Sequence, residues 1–546
     1  MSKTRIAIAL VCLKSSLLAA CSSGSGTNVS TPVDSAAGSG GATSSGGSAS
    51  PGSAGASGTT ATAGTTASTQ GRGGMVASGG AGSMVLTGGT NGTGGVTAAA
   101  GSSGTGGAVT TGGAKGKGTG GTGSGGAGTG TGGAMGSGGT TGNSDPCGPG
   151  NPHTVPIPTI PSATFDVKTY GATGDGATDD TKALQAALTA AANAGGGTVA
   201  MPKGTFLSGP LTLGNSTRLD LASGATLKML PRGTYPAGTT PLLTTASGAH
   251  DIALTGSGTI DGQGQDWWTA FAADSSIDRM QEVVFSGATR VLISGLRFQN
   301  PPNEHIWVKS DKDVTITGIT ISTLAVSGKA QPKNTDGIDI STDGGFLCNN
   351  KIECGDDNIA LNGNNIYIGY STFGVGHGCS IGSITKNGVS KLTVEHNTFN
   401  GTTSGIRLKS GRDRGGLVQN LTYSDITMTD VQNPIYITSY YPTMPTDPTA
   451  DTAQATTSTT PYWKDITIKN VTITGSTNAG IVWGLPESKV SNLILDNVKV
   501  QANTGMVIYH ATGVSFTNGS SVTPKSGAAV KIYDADVTGI TTTNYR

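Results

Sequence analysis

Short runs in which every second residue is apolar recur from about Val155 to the C-terminus, punctuated by Asn and Gly. Alternation of this kind is the signature of strands with one buried face. Aligning Gly337-Ile-Asp-Ile-Ser-Thr, Asn358-Ile-Ala-Leu-Asn-Gly, Gly378-Cys-Ser-Ile-Gly-Ser, Gly405-Ile-Arg-Leu-Lys-Ser and Pro434-Ile-Tyr-Ile-Thr-Ser gives steps of 21, 20, 27 and 29 residues. Gly480-Ile-Val-Trp and Gly505-Met-Val-Ile extend the series. Between its members runs a second series: Asp313-Val-Thr-Ile-Thr, Lys391-Leu-Thr-Val-Glu, Asp465-Ile-Thr-Ile-Lys and Asn492-Leu-Ile-Leu-Asp. A repeat of this length, built of strands and turns, predicts an all-β solenoid in the form of a parallel β-helix. In each hexad the second and fourth residues then point into the core, and the third and fifth point outward. The outward pairs are Asp339/Ser341, Ala360/Asn362, Ser380/Gly382, Arg407/Lys409 and Tyr436/Thr438. Coils stack about 4.8 Å apart, so residues twenty apart in sequence become neighbours.

One helical pattern precedes the repeats. Thr164-Phe-Asp-Val167 reads as a first strand, and the Asp-rich Gly171–Asp180 as a loop without EF-hand spacing. Thr181–Asn193 reads as a helix with Leu184, Ala187, Leu188 and Ala191 on one face, capped by Asp179 or Asp180 and ended by Gly195–Gly197. It is expected to cover the open N-terminal end of the stack, and no helix is expected after it.

Composition divides the chain. Of its 90 Gly, 43 fall between Ser22 and Pro146, and no Phe, Trp or Tyr occurs before Phe165. Such a stretch buries too little apolar surface to offset its ordering entropy. Residues 21–154 are therefore expected to be a disordered Gly/Ser/Thr-rich tether, with a reach of roughly 60 Å, and 155–546 one folded domain. Residues 1–20 read as a signal peptide: Lys3 and Arg5, an apolar run interrupted by Lys14, then Leu18-Ala-Ala-Cys21. Small residues before a Cys resemble a bacterial lipobox. The expectation is lipidation at Cys21 and a place at the cell surface or outer membrane, with plain secretion as the alternative. Cys147, Cys348, Cys354 and Cys379 remain in the exported part, with three complete pairings open and no zinc-ligand spacing. Equal numbers of Lys+Arg and Asp+Glu, 33 each, exclude a whole-molecule attraction to nucleic acid. No cofactor and no metal are called for.

The repeat places chemistry in register. Asp336 precedes the first hexad, Asp356-Asp357 the second and His377 the third; Arg407 and Lys409 take outward positions of the fourth, and Tyr440 follows the fifth. Strict alternation would turn Asp336, Asp357 and His377 inward, so they must sit on bends. Singly, Asp-Gly and Gly-Asp-Asp are ordinary turn sequences and Arg or Lys suits a solvated face. Convergence of all of them on one sheet favours chemistry. Paired carboxylates beside a cationic patch suit hydrolysis of a glycosidic bond in an acidic polysaccharide: a proton-retaining carboxyl protonates the leaving oxygen, and ionised neighbours activate water. Arg and Lys would bind sugar carboxylates.

Asn334-Thr-Asp336, Gly355-Asp-Asp357, Gly376-His-Gly378 and Arg407-Leu-Lys409 resemble, in order, the signatures of the polygalacturonases, glycoside hydrolase family 28. The resemblance runs from about Thr164 to the C-terminus and includes the less specific Tyr170-Gly-Ala-Thr-Gly-Asp-Gly and Gly256-Ser-Gly-Thr-Ile-Asp-Gly segments. It implies a right-handed, single-stranded parallel β-helix that cleaves α-1,4 bonds between galacturonate units of pectin, acting as a monomer. By position, Asp356 resembles the general acid, Asp336 and Asp357 the pair holding the water, and His377 the residue tuning the acid. Asn334, Arg407, Lys409 and Tyr440 resemble the residues that orient the site and bind galacturonate. Asn358 stands where many relatives have Cys, which implies that a local disulfide is absent. Carboxylates on adjacent coils, about 5 Å apart, would by the general rule retain configuration, whereas the resemblance implies inversion, which is followed here. A pectin-type lyase and a non-catalytic carbohydrate-binding β-helix are the alternatives. Trp267-Trp268 is expected to pack under a loop, and 442–461 to be an insertion beside the cleft.

Overall fold

The computed structural model describes residues 155–238, 240–323 and 327–546. The predicted signal, Cys21, the tether and Cys147 lie outside the described residues.

The described chain is a parallel β-helix whose successive coils pair in parallel register. The strands that matter for the site form one sheet. They are β1 (Leu243–Thr245), β2 (Val283–Ser286), β3 (Ile306–Thr317), β4 (Ile338–Cys348), β5 (Ile359–Leu361), β6 (Cys379–Ile381), β7 (Ser404–Lys409) and β8 (Asn433–Thr438). Val283, Ile306, Ile338, Ile359, Cys379, Ile406 and Ile435 stack as one inward row. All seven are at most 1% exposed. This is the hexad alignment read from sequence. Each buried Val, Ile or Leu of such a row stabilises the fold by about 1.5–3 kcal/mol relative to an exposed one, and a one-residue slip would expose the whole row.

A second inward row runs through Val314, Gly345, Ile366, Leu392, Leu421 and Ile466. A third runs through Phe298, Ile321, Ile352, Phe373 and Phe399. The corner before the second row is turned by one residue at positive φ per coil, including Asp313 (58°), Asn365 (54°), Lys391 (57°), Asn420 (57°) and Asp465 (55°). Asn and Asp enter this left-handed region most readily of the side-chain-bearing residues, which is why they punctuate the repeat.

Helix α1 is Thr181–Asn193, with Leu184, Ala187, Leu188 and Ala191 buried as expected. It packs on the first coils, against Gly197–Met201 and Leu211–Leu213. Its capping differs in detail. Asp179 Oδ1 accepts the Thr181 N–H at 3.0 Å, while the Asp180 carboxylate turns back and accepts the Thr173 and Gly174 N–H groups at 2.6 and 3.0 Å. Part of the Asp-rich loop, Asp175–Asp179, is a short exposed strand rather than an irregular turn.

Two further expectations are corrected. A second helix, α2 (Gln265–Ala273), interrupts the solenoid. Trp267, Trp268 and Phe271 have helical spacing, and both indoles are buried, with Trp268 Nε1 donating to the Pro301 carbonyl at 2.9 Å. The Gly480 hexad is one residue out: Ile437 pairs with Val482, so Val482 points inward and Ile481 outward. Three apolar residues in succession, Ile481-Val-Trp, erase the alternation that fixes register. The cysteine states that sequence left open are given for three of the four. Cys354 and Cys379 are free and buried, and Cys348 is disulfide-bonded, its partner outside the described residues.

Candidate active site

The outer face of β1 to β7 floors a cleft of about 1000 Å3, rimmed by Phe271 of α2, the loop Ser275–Gln281 and Tyr441. Glu304, Asp336, Asp357 and His377 occupy equivalent bend positions, two residues ahead of β3, β4, β5 and β6. The backbone ladder continues through these bends: His305 N–H donates to the Asp336 carbonyl and Gly337 N–H to the Asp357 carbonyl, both at 2.9 Å. Asp336, Asp357 and His377 thus escape the inward alternation as the sequence requires, and a fourth group, Glu304, joins their column.

Close backbone approach stitches the bends together. A Cβ on Gly355 would fall 1.9 Å from the Pro332 carbonyl oxygen, so only glycine lets the two turns meet. Thr335 Oγ1 donates to that same carbonyl and accepts the Gly355 N–H, at 2.8 and 3.0 Å. Fully buried Asn358 donates to the Ile352 and Val375 carbonyls at 3.1 and 3.2 Å and accepts the Gly378 N–H at 2.7 Å. It ties the Asp356-Asp357 bend to the His377 bend, a fastening made by amide hydrogen bonds.

Asp357 is buried and clamped by two cations, Arg407 Nη1 at 2.7 Å and Lys409 Nζ at 3.1 Å. Burial drives its carboxyl upward, but Lys409, Arg407 and His377 outweigh that and hold it at about 2. Asp356 is less buried. Its Oδ1 accepts the Asp357 N–H at 2.9 Å and lies 2.9 Å from His377 Nδ1. Burial opposes charge on His377, yet the Asp356 hydrogen bond and the Asp356 and Asp357 charges prevail and raise its pKa. Asp336 is pushed well above the usual carboxylate range by burial and then by Asp356, Asp339, Asp357 and Glu304. Glu304 and Asp339 are raised too, burial again leading. The site therefore sets one carboxyl held low by its cations beside several pushed up by burial and by one another.

Asn334 sits at φ 55° and faces Asp356, its Nδ2 3.5 Å from Oδ2. Its Oδ1 accepts from Arg279 Nη2 at 3.1 Å. Arg279 also donates to the Pro302 and Lys333 carbonyls and stacks 3.8 Å from the Phe271 ring. Arg279, Glu304, Asp339, Lys309 and Tyr441 all line the cleft and were not picked out by sequence.

Asn334, Asp336, Asp356, Asp357 and Lys409 line the cleft as well, while Arg407 and His377 do so only through the carboxylates they hold. Tyr440 is placed elsewhere. Its hydroxyl donates to Asp451 of the insertion at 2.7 Å and its ring lies against Trp483, whereas Tyr441 faces the cleft with Lys409 Nζ 5.1 Å from its ring centre. The insertion is fastened away from the floor: Asp451 pairs with Arg412 at 2.5 Å, and Thr459 Oγ1 donates to the Arg412 carbonyl at 2.8 Å.

Asp356, Asp357 and His377 present ligand-type atoms within 4.8 Å of one another. A dication there would have to share Asp357 with Arg407 and Lys409, so the donor set fits an ion-paired acid cluster better than a metal centre.

The model of glycosyl hydrolases family 28 matches residues 193–522. The chain belongs to this family. It is a glycoside hydrolase, and its fold is the right-handed parallel β-helix. A probable endo-xylogalacturonan hydrolase A of Aspergillus niger is 34% identical over 293 residues, covering 50% of this chain and 71% of its own. An endo-polygalacturonase of Pectobacterium carotovorum subsp. carotovorum is 30% identical over 344 residues, 56% of this chain and 80% of that one. Among solved structures, the polygalacturonase from Erwinia carotovora ssp. carotovora superposes with a TM-score of 0.50 at 26% identity, over 72% of this chain and 100% of that one.

Proposed function

We propose that this enzyme hydrolyses the α-1,4 bonds between galacturonate units of polygalacturonan, with inversion at the anomeric carbon. The observation that carries this reading is the opposed environment of two adjacent carboxyls: Asp357 clamped by Arg407 and Lys409, Asp356 hydrogen-bonded to His377. Neighbouring groups with opposed environments are how one site runs acid and base chemistry together.

In this mechanism Asp356 donates a proton to the leaving glycosidic oxygen as the C–O bond breaks. Water held by Asp357 and Asp336 attacks the anomeric carbon from the other face and passes its proton to Asp336, which burial and its acidic neighbours make the stronger base of the two. Between turnovers Asp336 gives that proton up to solvent, and His377, recharged from solvent at the cleft edge, passes one to Asp356 through their shared hydrogen bond. Ionised Asp357 stabilises the developing oxocarbenium charge. Asn334, fixed by Arg279, orients Asp356. Lys409 and Tyr441 meet the sugar on the C-terminal side of the cleavage point.

The test is incubation with polygalacturonate. New reducing ends without ultraviolet absorbance of an unsaturated sugar support hydrolysis; an unsaturated product would make the enzyme a lyase and overturn it.

A further inference from the structure

Arg407 and Lys409 are the cations that sequence assigns to a polyanionic substrate, and both already pair with Asp357, at 2.7 and 3.1 Å. A third cation in the cleft is differently placed. Ile306 and Val308 of β3 are fully buried, so Trp307 and Lys309 point outward, and both line the cleft. Lys309 Nζ lies 4.3 Å from the centre of the Trp307 ring. Among the described residues its ammonium makes no ion pair.

The register fixes where this lysine stands. Lys309 pairs with Ser341, and the same row continues through Asn362 and Gly382 to Lys409. Lys309 and Lys409 are thus four coils apart, about 19 Å at the strand spacing. The column of Asp336 and Asp357 falls between them. Lys309 lies one coil on the N-terminal side of Asp336, Lys409 two coils on the C-terminal side of Asp357.

We propose that Lys309, held against Trp307, is a binding site for the carboxylate of a uronate unit on the N-terminal side of the cleavage point. This rests on the reading of the substrate as galacturonan. The chemistry is specific in two ways. Stacking on the indole restrains a long side chain that otherwise loses rotamer freedom on binding, and it leaves ammonium donors facing the cleft. The surrounding groups disfavour a carboxylate anywhere else on this coil. Glu304 at the start of β3 and Asp339 on β4 are acids, and Arg279 is committed to the Pro302 and Lys333 carbonyls and Asn334. Asp311, further along β3, is buried, with its Oδ1 accepting the Ala288 N–H at 2.6 Å. Lys309 is the point on the N-terminal arm where a sugar carboxylate finds opposite charge.

The test is calorimetric binding of an oligogalacturonate and of its fully methyl-esterified counterpart to the Asp356→Asn protein, with and without a change at Lys309. Lys309→Met is expected to weaken the acidic oligomer about tenfold, which is about 1.4 kcal/mol, and the ester less than twofold. Lys309→Arg is expected to recover most of the loss. Unchanged affinity for the acid, or equal weakening of both ligands, overturns the proposal; the second result would mean that Lys309 only supports Trp307. A parent protein that neither binds the acidic oligomer nor, as wild type, releases reducing ends overturns the substrate reading itself.

Discussion

Two histidine–carboxylate pairs lie within a few coils of each other and behave in opposite ways. In the first, His305 Nδ1 lies 2.6 Å from Glu282 Oε2, both residues are 0% exposed, and Nε2 is 2.7 Å from Thr323 Oγ1. In the second, His377 Nδ1 lies 2.9 Å from Asp356 Oδ1 at the edge of the cleft. Burial drives Glu282 well up and His305 down to about 3, so the first pair is neutral, its proton on the carboxyl. Burial also opposes charge on His377, but Asp356 and Asp357 reverse the outcome. A second carboxylate and an open cleft reverse the direction of the histidine's shift. The same pairing of imidazole with carboxyl is sealed in the core at one position and stands at the cleft at the other.

Breaking the second pair has the largest expected effect. Asp356→Asn keeps the shape but removes the transferable proton, and turnover of polygalacturonate should fall about 10³-fold, within the range for general acid–base groups. Steady-state release of reducing ends reads this.

Removing what keeps the second pair apart from the first comes next. Arg407→Met leaves the buried charge of Asp357 half-compensated, and denaturant unfolding near neutrality should show a loss of about 3–5 kcal/mol. The sign is set by Asp357, whose pKa falls from 3.8 to about 2 on folding. Its contribution is present above about 3.8 and is lost as pH falls through about 2. The gap between wild type and variant should therefore shrink in acid.

His377→Gln should lower kcat/KM about 10²-fold and abolish the basic limb of its pH profile. The raised pKa keeps His377 protonated to higher pH than an ordinary histidine, so wild-type activity falls as pH climbs through that value.

The smallest effect isolates the first pair. Glu282→Gln should leave the pH profile of activity unchanged. Glu282 has a folded pKa raised above its usual 4.5, so its contribution to stability is whole below about 4.5 and declines as pH rises toward the folded value. Glutamine never ionises, so the stability that wild type loses as pH rises above about 4.5 should not be lost by the variant, and the difference between them should shift in the variant's favour from pH 4 to pH 8, measured by thermal unfolding.

The inward rows were legible because each coil repeats the same pair of apolar residues around an outward one, and strand stacking turns that repeat into register. Legibility failed where the alternation did: at Ile481-Val-Trp, and in α2, whose helical spacing sits inside a β solenoid. The column from Asp336 to His377 was readable because steps of 21 and 20 residues keep it aligned. Glu304 escaped because 32 residues separate Ile306 from its partner Ile338, which hides its equivalence to Asp336. Lys309 and Trp307 carried an alternation signal, Ile306-Trp-Val-Lys, without the preceding Gly, Asn or Pro that marked the aligned hexads. Arg279 lies on a rim loop where no periodicity operates. Tyr440 and Tyr441 are adjacent, and only the path of the chain into the insertion decides which ring meets the cleft.

Proton NMR of the first product released from polygalacturonate tests the central claim most directly. If water held by Asp357 and Asp336 attacks opposite the bond protonated by Asp356, the new reducing end appears first as the β anomer and turns to α only by later mutarotation. An α anomer at the earliest times would mean that a carboxylate, not water, attacks first, and would contradict the account.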